Sequence, residues 1–161
     1  MNKYFGILCI ATLLIACNKD ESDVVVPDQL DQKLLVNLVN EVRNSGCNCG
    51  DEEMPPVGDI SWNNQLEEVA EKHSLYMYTE DTLSHIGLNN STISDRITAS
   101  GYQWSSVGEN IAWYFPNETE VVQAWINSPG HCKNIMNETF TEMGLAKVGE
   151  YWTQVFAKPL K

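Results

Sequence analysis

The chain has 161 residues and carries 22 acidic against 10 basic side chains, a formal net charge of −12 at neutral pH. A surface this acidic repels phosphate backbones, which argues against nucleic acid as a partner and favours cations. With 43% hydrophobic residues, no internal repeat and no low-complexity linker, the chain fits a single globular domain with one core.

Residues 1–16 read as a bacterial lipoprotein signal peptide. Lys3 gives a short positive region, and Tyr4 to Ala16 is an uncharged apolar run, too short for a spanning helix of about 20 residues. It ends in Leu14-Ile15-Ala16-Cys17, the form of a lipobox. This predicts cleavage before Cys17 and acylation of its thiol, with residues 17–28 as a lipidated acidic tether. The stretch Asn18-Lys19-Asp20-Glu21-Ser22-Asp23 has nothing to bury. Each buried methylene of the acyl chains contributes about 0.8 kcal/mol, so two or three chains on one residue give a stable anchor. The expected location is the bacterial cell envelope, on the extracytoplasmic side of the outer membrane or on the cell surface, with the membrane a partner through the N-terminal lipid.

The folded domain is expected over residues 29–161. Leu30, Leu34, Leu38 and Val42, with Leu35 and Val39 beside them, recur at helical spacing and predict a helix from about Gln29 to Asn44, stopped by Ser45-Gly46. Gly50, Pro55, Pro56 and Gly58 make Cys47 to Asp59 a loop. Asn63 or Asn64 can cap a second helix whose inner face is Leu66, Val69, Ala70, His73 and Met77. His73 shares that apolar stripe and reads as a hydrogen-bonded packing residue.

A short helix follows at about Ile93 to Ser100, stopped by Gly101. Val107 to Phe115 is β-branched and aromatic, a strand interrupted by Gly108. Thr119 to Asn127 is helical, with Val121, Val122 and Trp125 facing inward and Pro129-Gly130 ending it. Glu142 to Val148 and Tyr151 to Lys158 flank Gly149-Glu150 and read as a β-hairpin. Helices around a small antiparallel sheet, without regular strand–helix alternation, make the fold class α+β.

Cys47, Cys49 and Cys132 are the cysteines of the folded part. In an oxidising compartment, one of the closely spaced pair is expected to reach Cys132, closing a loop worth about 4 kcal/mol in the chain-entropy model. A zinc site built from all three is the rival arrangement.

Two of the three histidines fall in segments rich in small residues: Ser84-His85 and Ser128-Pro129-Gly130-His131-Cys132. A third such segment, Gly108-Glu109-Asn110-Ile111-Ala112, supplies a carboxylate. Two imidazoles and a carboxylate are a common zinc ligand set and equally a general acid–base set. Ser128 and His131 lack a surrounding nucleophile elbow, which disfavours a serine hydrolase.

These segments resemble the CAP superfamily, the SCP-like domain shared by cysteine-rich secretory proteins, antigen 5 and plant pathogenesis-related proteins. The resemblance runs from about Leu34 to Ala157. It rests on Trp62-Asn63, Ser84-His85, Asp95-Arg96-Ile97, Gly101-Tyr102, Gly108 to Ala112, Val122 to His131, Asn134-Ile135-Met136, Phe140 to Gly144 and Tyr151 to Phe156. It implies a three-layer α–β–α sandwich with a central cleft. Animal members hold two histidines and two glutamates there. His85, Glu109 and His131 match three of these, and the fourth falls near Ser128, where this chain has no carboxylate. The resemblance further implies that zinc or another divalent metal binds through His85 and His131, and that Cys49 pairs with Cys132, leaving Cys47 odd.

The favoured function is an envelope-anchored binding module with a polar, metal-binding cleft and a protein or small-molecule ligand. The alternative is a zinc-assisted hydrolase, with His85 and His131 as ligands and Glu109 as the catalytic general base. A third possibility is that the polar cluster only satisfies itself by hydrogen bonds.

Overall fold

The computed structural model describes residues 25–161. The expected signal peptide, the lipidation at Cys17 and the first part of the tether lie outside them.

Polar residues at helix starts set the frame. Helix α1, Gln32–Ser45, is capped by Asp31, whose side chain accepts from Leu34 N. Helix α2, Asn64–Thr79, begins at Asn63, which accepts from Gln65 N and Leu66 N. Helix α3, Ile93–Ala99, opens on a reciprocal box between Thr92 and Asp95. Helix α4, Glu118–Asn127, is capped by Asn117.

Helix α1 departs at its inner face from the helix expected by spacing. The helix starts at Gln32, and Leu35, Val39 and Arg43 are its buried residues, whereas Leu34 is exposed. Leu30, Leu38 and Val42 pack at the margin of the core. The buried stripe ends on an arginine that reaches four carbonyls: Gly58, Ile135, Asn137 and Phe140.

The stretch expected to be a loop contains a hairpin, β1 Cys47–Cys49 and β2 Glu52–Met54. With three residues per strand, no apolar alternation is long enough to announce it. A two-residue strand, β3 Ser61–Trp62, follows. The long strand β4 spans Trp104–Trp113, so it starts earlier than Val107 and ends before Tyr114, which turns the chain with φ of 67°. Pro129 ends α4 and also opens α5, Pro129–Ile135, because proline suits the first helical position. Strands β5, Glu142–Val148, and β6, Tyr151–Pro159, form the C-terminal hairpin.

The main sheet runs β3-β5-β6-β4, antiparallel except for the β3–β5 pair. On one face, Met143, Leu145, Trp152 and Phe156 join Leu35, Val39, Val121, Val122, Trp125 and Ile135 from α1, α4 and α5. On the other, Ala146, Val155 and Ala157 meet Leu66, Val69 and Ala70 of α2 and Ile97 of α3. The result is a three-layer α–β–α sandwich. Gly144 lets α2 lie directly on β5, since a methyl group there would overlap the backbone of Leu66 and Glu67.

Candidate functional site

Strand β4 forms one edge of the sheet, and its alternation splits its side chains between the layers. Ile111 joins Met77 of α2, and Glu109 points to the same side. Asn110 turns to the opposite face, toward α5. Gly108 makes room beside them, because a side chain there would meet the ring of Phe140 at 2.8 Å.

Glu109 is buried and divides its carboxylate between two donors. Oε1 accepts from His85 Nδ1 at 2.8 Å, and Oε2 accepts from the Arg96 guanidinium at 2.5 Å. The Glu109 and Arg96 side chains are 3% and 11% exposed, whereas His85 is 57% exposed. Arg96 also donates to the carbonyls of His85 and Ser91. One α3 guanidinium thus ties the His85 loop to the strand that carries Glu109.

The geometry assigns the imidazole tautomers. A carboxylate can only accept, so the neutral form of His85 carries its proton on Nδ1, and its Nε2 then presents a lone pair with no partner among the described residues. His73, fully buried on α2, donates from Nε2 to the Ser84 carbonyl at 2.8 Å. Its Nε2 lies 3.9 Å from Glu109 Oε1, but burial pulls its pKa below the ordinary histidine value, overriding the carboxylate, and keeps the ring neutral. His73 therefore holds the His85 loop, and its buried Nδ1 has no hydrogen-bond partner among the described residues. Gly87 packs over it: a methyl there would lie 3.3 Å from that nitrogen and 3.1 Å from Arg96 Nη1.

His131 stands in the first turn of α5 on the other side of the β4 edge. Its backbone carbonyl accepts from Asn110 Nδ2, and Asn110 also accepts from Asn134 and donates to Gln154. Asn134 donates in addition to the Glu109 carbonyl. This amide network locks α5, and with it His131, against β4. Partial burial, with His85 nearby, lowers the His131 pKa. The ring is neutral at physiological pH, the form that binds metal.

The structure thus joins His85 directly to Glu109 and places His131 where a proton on His85 would further lower the His131 pKa. Two partners were not singled out by the sequence as site residues: Arg96 and Asn110. Both lie inside segments that carry the family resemblance, and an arginine beside a helix-capping aspartate was the available signal. Cys49 and Cys132 form a disulfide that ties β1 to α5, and Cys47 is free. Among the described residues, these three cysteines are the one group of three or more metal-ligating side chains with all ligand atoms within 4.8 Å. Since two of the sulfurs share a bond, the group is not a thiolate metal site in this state. No helix of the described residues is long and apolar enough to cross a membrane.

Comparison with known proteins agrees with this architecture. An uncharacterised membrane protein of Bacillus subtilis, YlbC, is 31% identical over 102 residues, covering 63% of this chain and 30% of that protein. The crystal structure of an extracellular protein containing an SCP domain from Bacillus anthracis matches with a TM-score of 0.70 at 28% identity, over 79% of this chain and 40% of that one. An outer surface protein of Borrelia burgdorferi has the same fold, with a TM-score of 0.68 at 20% identity over 84% of this chain and 100% of that one. The chain spans less than a third of the length of the curated relatives it matches. The family model for the CAP domain matches residues 36–156, so the chain belongs to the cysteine-rich secretory protein family.

Proposed function

We propose that the chain is an extracytoplasmic, lipid-anchored binding module whose cleft takes a divalent cation through His85 and His131. The observation that carries this reading is the His85–Glu109 hydrogen bond. A metal-binding imidazole characteristically donates its other N–H to a carboxylate, which orients the ring and raises its basicity. His85 has that arrangement, and the neutral ring of His131 is a second donor of the same kind. The donor set fits zinc or another borderline divalent ion, with the remaining positions open to water or to a protein or small-molecule ligand. A bound ion would supply Lewis acidity to whatever reaches the cleft.

Glu109 then has an orienting role. A general base needs a lone pair open to water, and both Glu109 oxygens are engaged in a buried side chain. The same geometry weighs against the zinc-assisted hydrolase in which Glu109 is the base.

The anchor rests on Leu14-Ile15-Ala16-Cys17. It is supported by relatives described as a membrane protein, an extracellular protein and an outer surface protein. Expression of the whole chain with an alkyne-labelled fatty acid should label it through Cys17, and Cys17→Ser should abolish the signal. Unchanged labelling of that variant would remove the anchor.

The metal reading is tested by calorimetric titration of zinc into the Cys47→Ser protein under oxidising conditions, which keep Cys49 and Cys132 bonded and leave no thiol of the β1–α5 cluster to compete. Saturable, near-equimolar binding lost in both His85→Ala and His131→Ala is expected. No binding, or binding that survives both substitutions, overturns the reading.

A further inference from the structure

Away from the cleft, Cys47, Cys49 and Cys132 bring their sulfurs within 4.8 Å of one another. Cys47 and Cys49 are two residues apart on β1, so both side chains leave the strand on one face. That face meets Cys132 of α5. The disulfide joins Cys49 to Cys132, while the Cys47 thiol lies 3.5 Å from Cys132 Sγ. A thiol in contact with a disulfide sulfur is the reactant pair of thiol–disulfide exchange.

We infer that these residues form an internal thiol–disulfide exchange site, with Cys47 the nucleophile, Cys132 the central sulfur and Cys49 the leaving group. Cys47 gives its proton to solvent, and the thiolate electron pair attacks Cys132 Sγ. The Cys47–Cys132 bond forms as the Cys49–Cys132 bond breaks, and the Cys49 thiolate takes up a proton. One disulfide and one thiol exist before and after, so no oxidant or reductant enters. The observed approach is bent, because the three sulfurs are mutually close. Rotation of the half-buried Cys47 side chain brings it in line. Both isomers keep the hairpin tied to α5, since Cys47 and Cys49 share β1. The same arrangement lets Cys47 expel a small thiol that has opened the bridge at Cys132, restoring a protein disulfide.

The surroundings make the exchange slow at neutral pH. Burial pushes the Cys47 thiol up. Glu41 of α1 lines the same groove as Cys47, and Lys133 of α5 is paired with Glu52 of β2. The rate should rise about tenfold per pH unit while the thiol remains mostly protonated.

The test follows the free thiol in the full chain. One disulfide isomer is isolated near pH 5, where exchange stops, then held near pH 8.5 and quenched with acid over time. Free thiols are blocked with maleimide in denaturant. After reduction and a second alkylation, fragmentation of the tryptic peptide 44–72, which contains both Cys47 and Cys49, locates the label. Label that starts on Cys47 should appear progressively on Cys49 at pH 8.5 and stay in place at pH 5. Label that never leaves its starting cysteine at pH 8.5 overturns the proposal. As a second arm, oxidised Cys49→Ser should form the Cys47–Cys132 bridge, and two persistent free thiols at those positions would also overturn it.

Discussion

Glu109 Oε1 accepts from His85 Nδ1 at 2.8 Å, and this one contact decides which imidazole nitrogen is left open. A carboxylate behind the ring leaves Nε2 as the only site for a ligand. It does so from the edge strand of the sheet, where the loop carrying His85 and the helix carrying His131 approach the same residue pair, Glu109 and Asn110, from opposite faces.

The Arg96–Glu109 pair should be structural as well as orienting. Arg96→Met leaves a buried carboxylate with one partner in place of two and frees the His85 and Ser91 carbonyls. Removing one member of a buried pair costs about 3–5 kcal/mol, so chemical denaturation should show a loss of that order. Zinc affinity should also fall about 10–100-fold, as for other residues behind a metal ligand. A stable variant with unchanged affinity would mean that Arg96 does not hold the site.

Arg43 should behave as a clamp rather than a surface charge. Its buried guanidinium donates to the Gly58, Ile135, Asn137 and Phe140 carbonyls, joining α1 to the end of α5. Arg43→Met keeps the apolar stem and strands these acceptors. Each buried unsatisfied group costs about 1–3 kcal/mol, so the variant should lose several kcal/mol, measured by urea unfolding. A loss under about 1 kcal/mol would show that water satisfies those carbonyls instead.

Acid should destabilise the fold through its histidines. Burial lowers the pKa of both His73 and His131 below the ordinary 6.5. At higher pH both folded and unfolded forms are neutral. As pH falls below 6.5, the unfolded chain takes up protons that the folded state refuses, and stability declines until the depressed folded values are reached. Thermal unfolding between pH 7.5 and 5 should therefore show a falling midpoint. His73→Gln, whose amide can still donate to Ser84, should flatten that slope, with His131 supplying the remainder. Identical slopes in the two proteins would contradict the assignment of His73.

Much of the layered fold is legible from local signals. The Asn63 cap, the apolar stripe of α2 and the Gly149-Glu150 turn between two β-rich runs each occur within one element, where spacing and turn chemistry speak directly. The inner face of α1 is less so, because two adjacent apolar series compete and Arg43 extends the one that is buried. The β1–β2 hairpin is held by a disulfide to residue 132 and by only three residues per strand. Nothing in its own composition marks it. The site follows the same logic. His85, Glu109 and His131 stand out by their residue type and small neighbours, whereas Arg96 acquires its role only when α3 lies across the His85 loop. Long-range ion pairs leave no periodic trace in a sequence.

The most direct test of the account is the nitrogen spectrum of the histidine side chains, because the chain has only three. Long-range proton–nitrogen correlation of the uniformly labelled protein should show His85 protonated on Nδ1 and His73 on Nε2. Added zinc should shift His85 Nε2 and one ring nitrogen of His131 while leaving His73 unmoved. A His85 proton on Nε2, or zinc shifts absent from both His85 and His131, would contradict the carboxylate-oriented metal site.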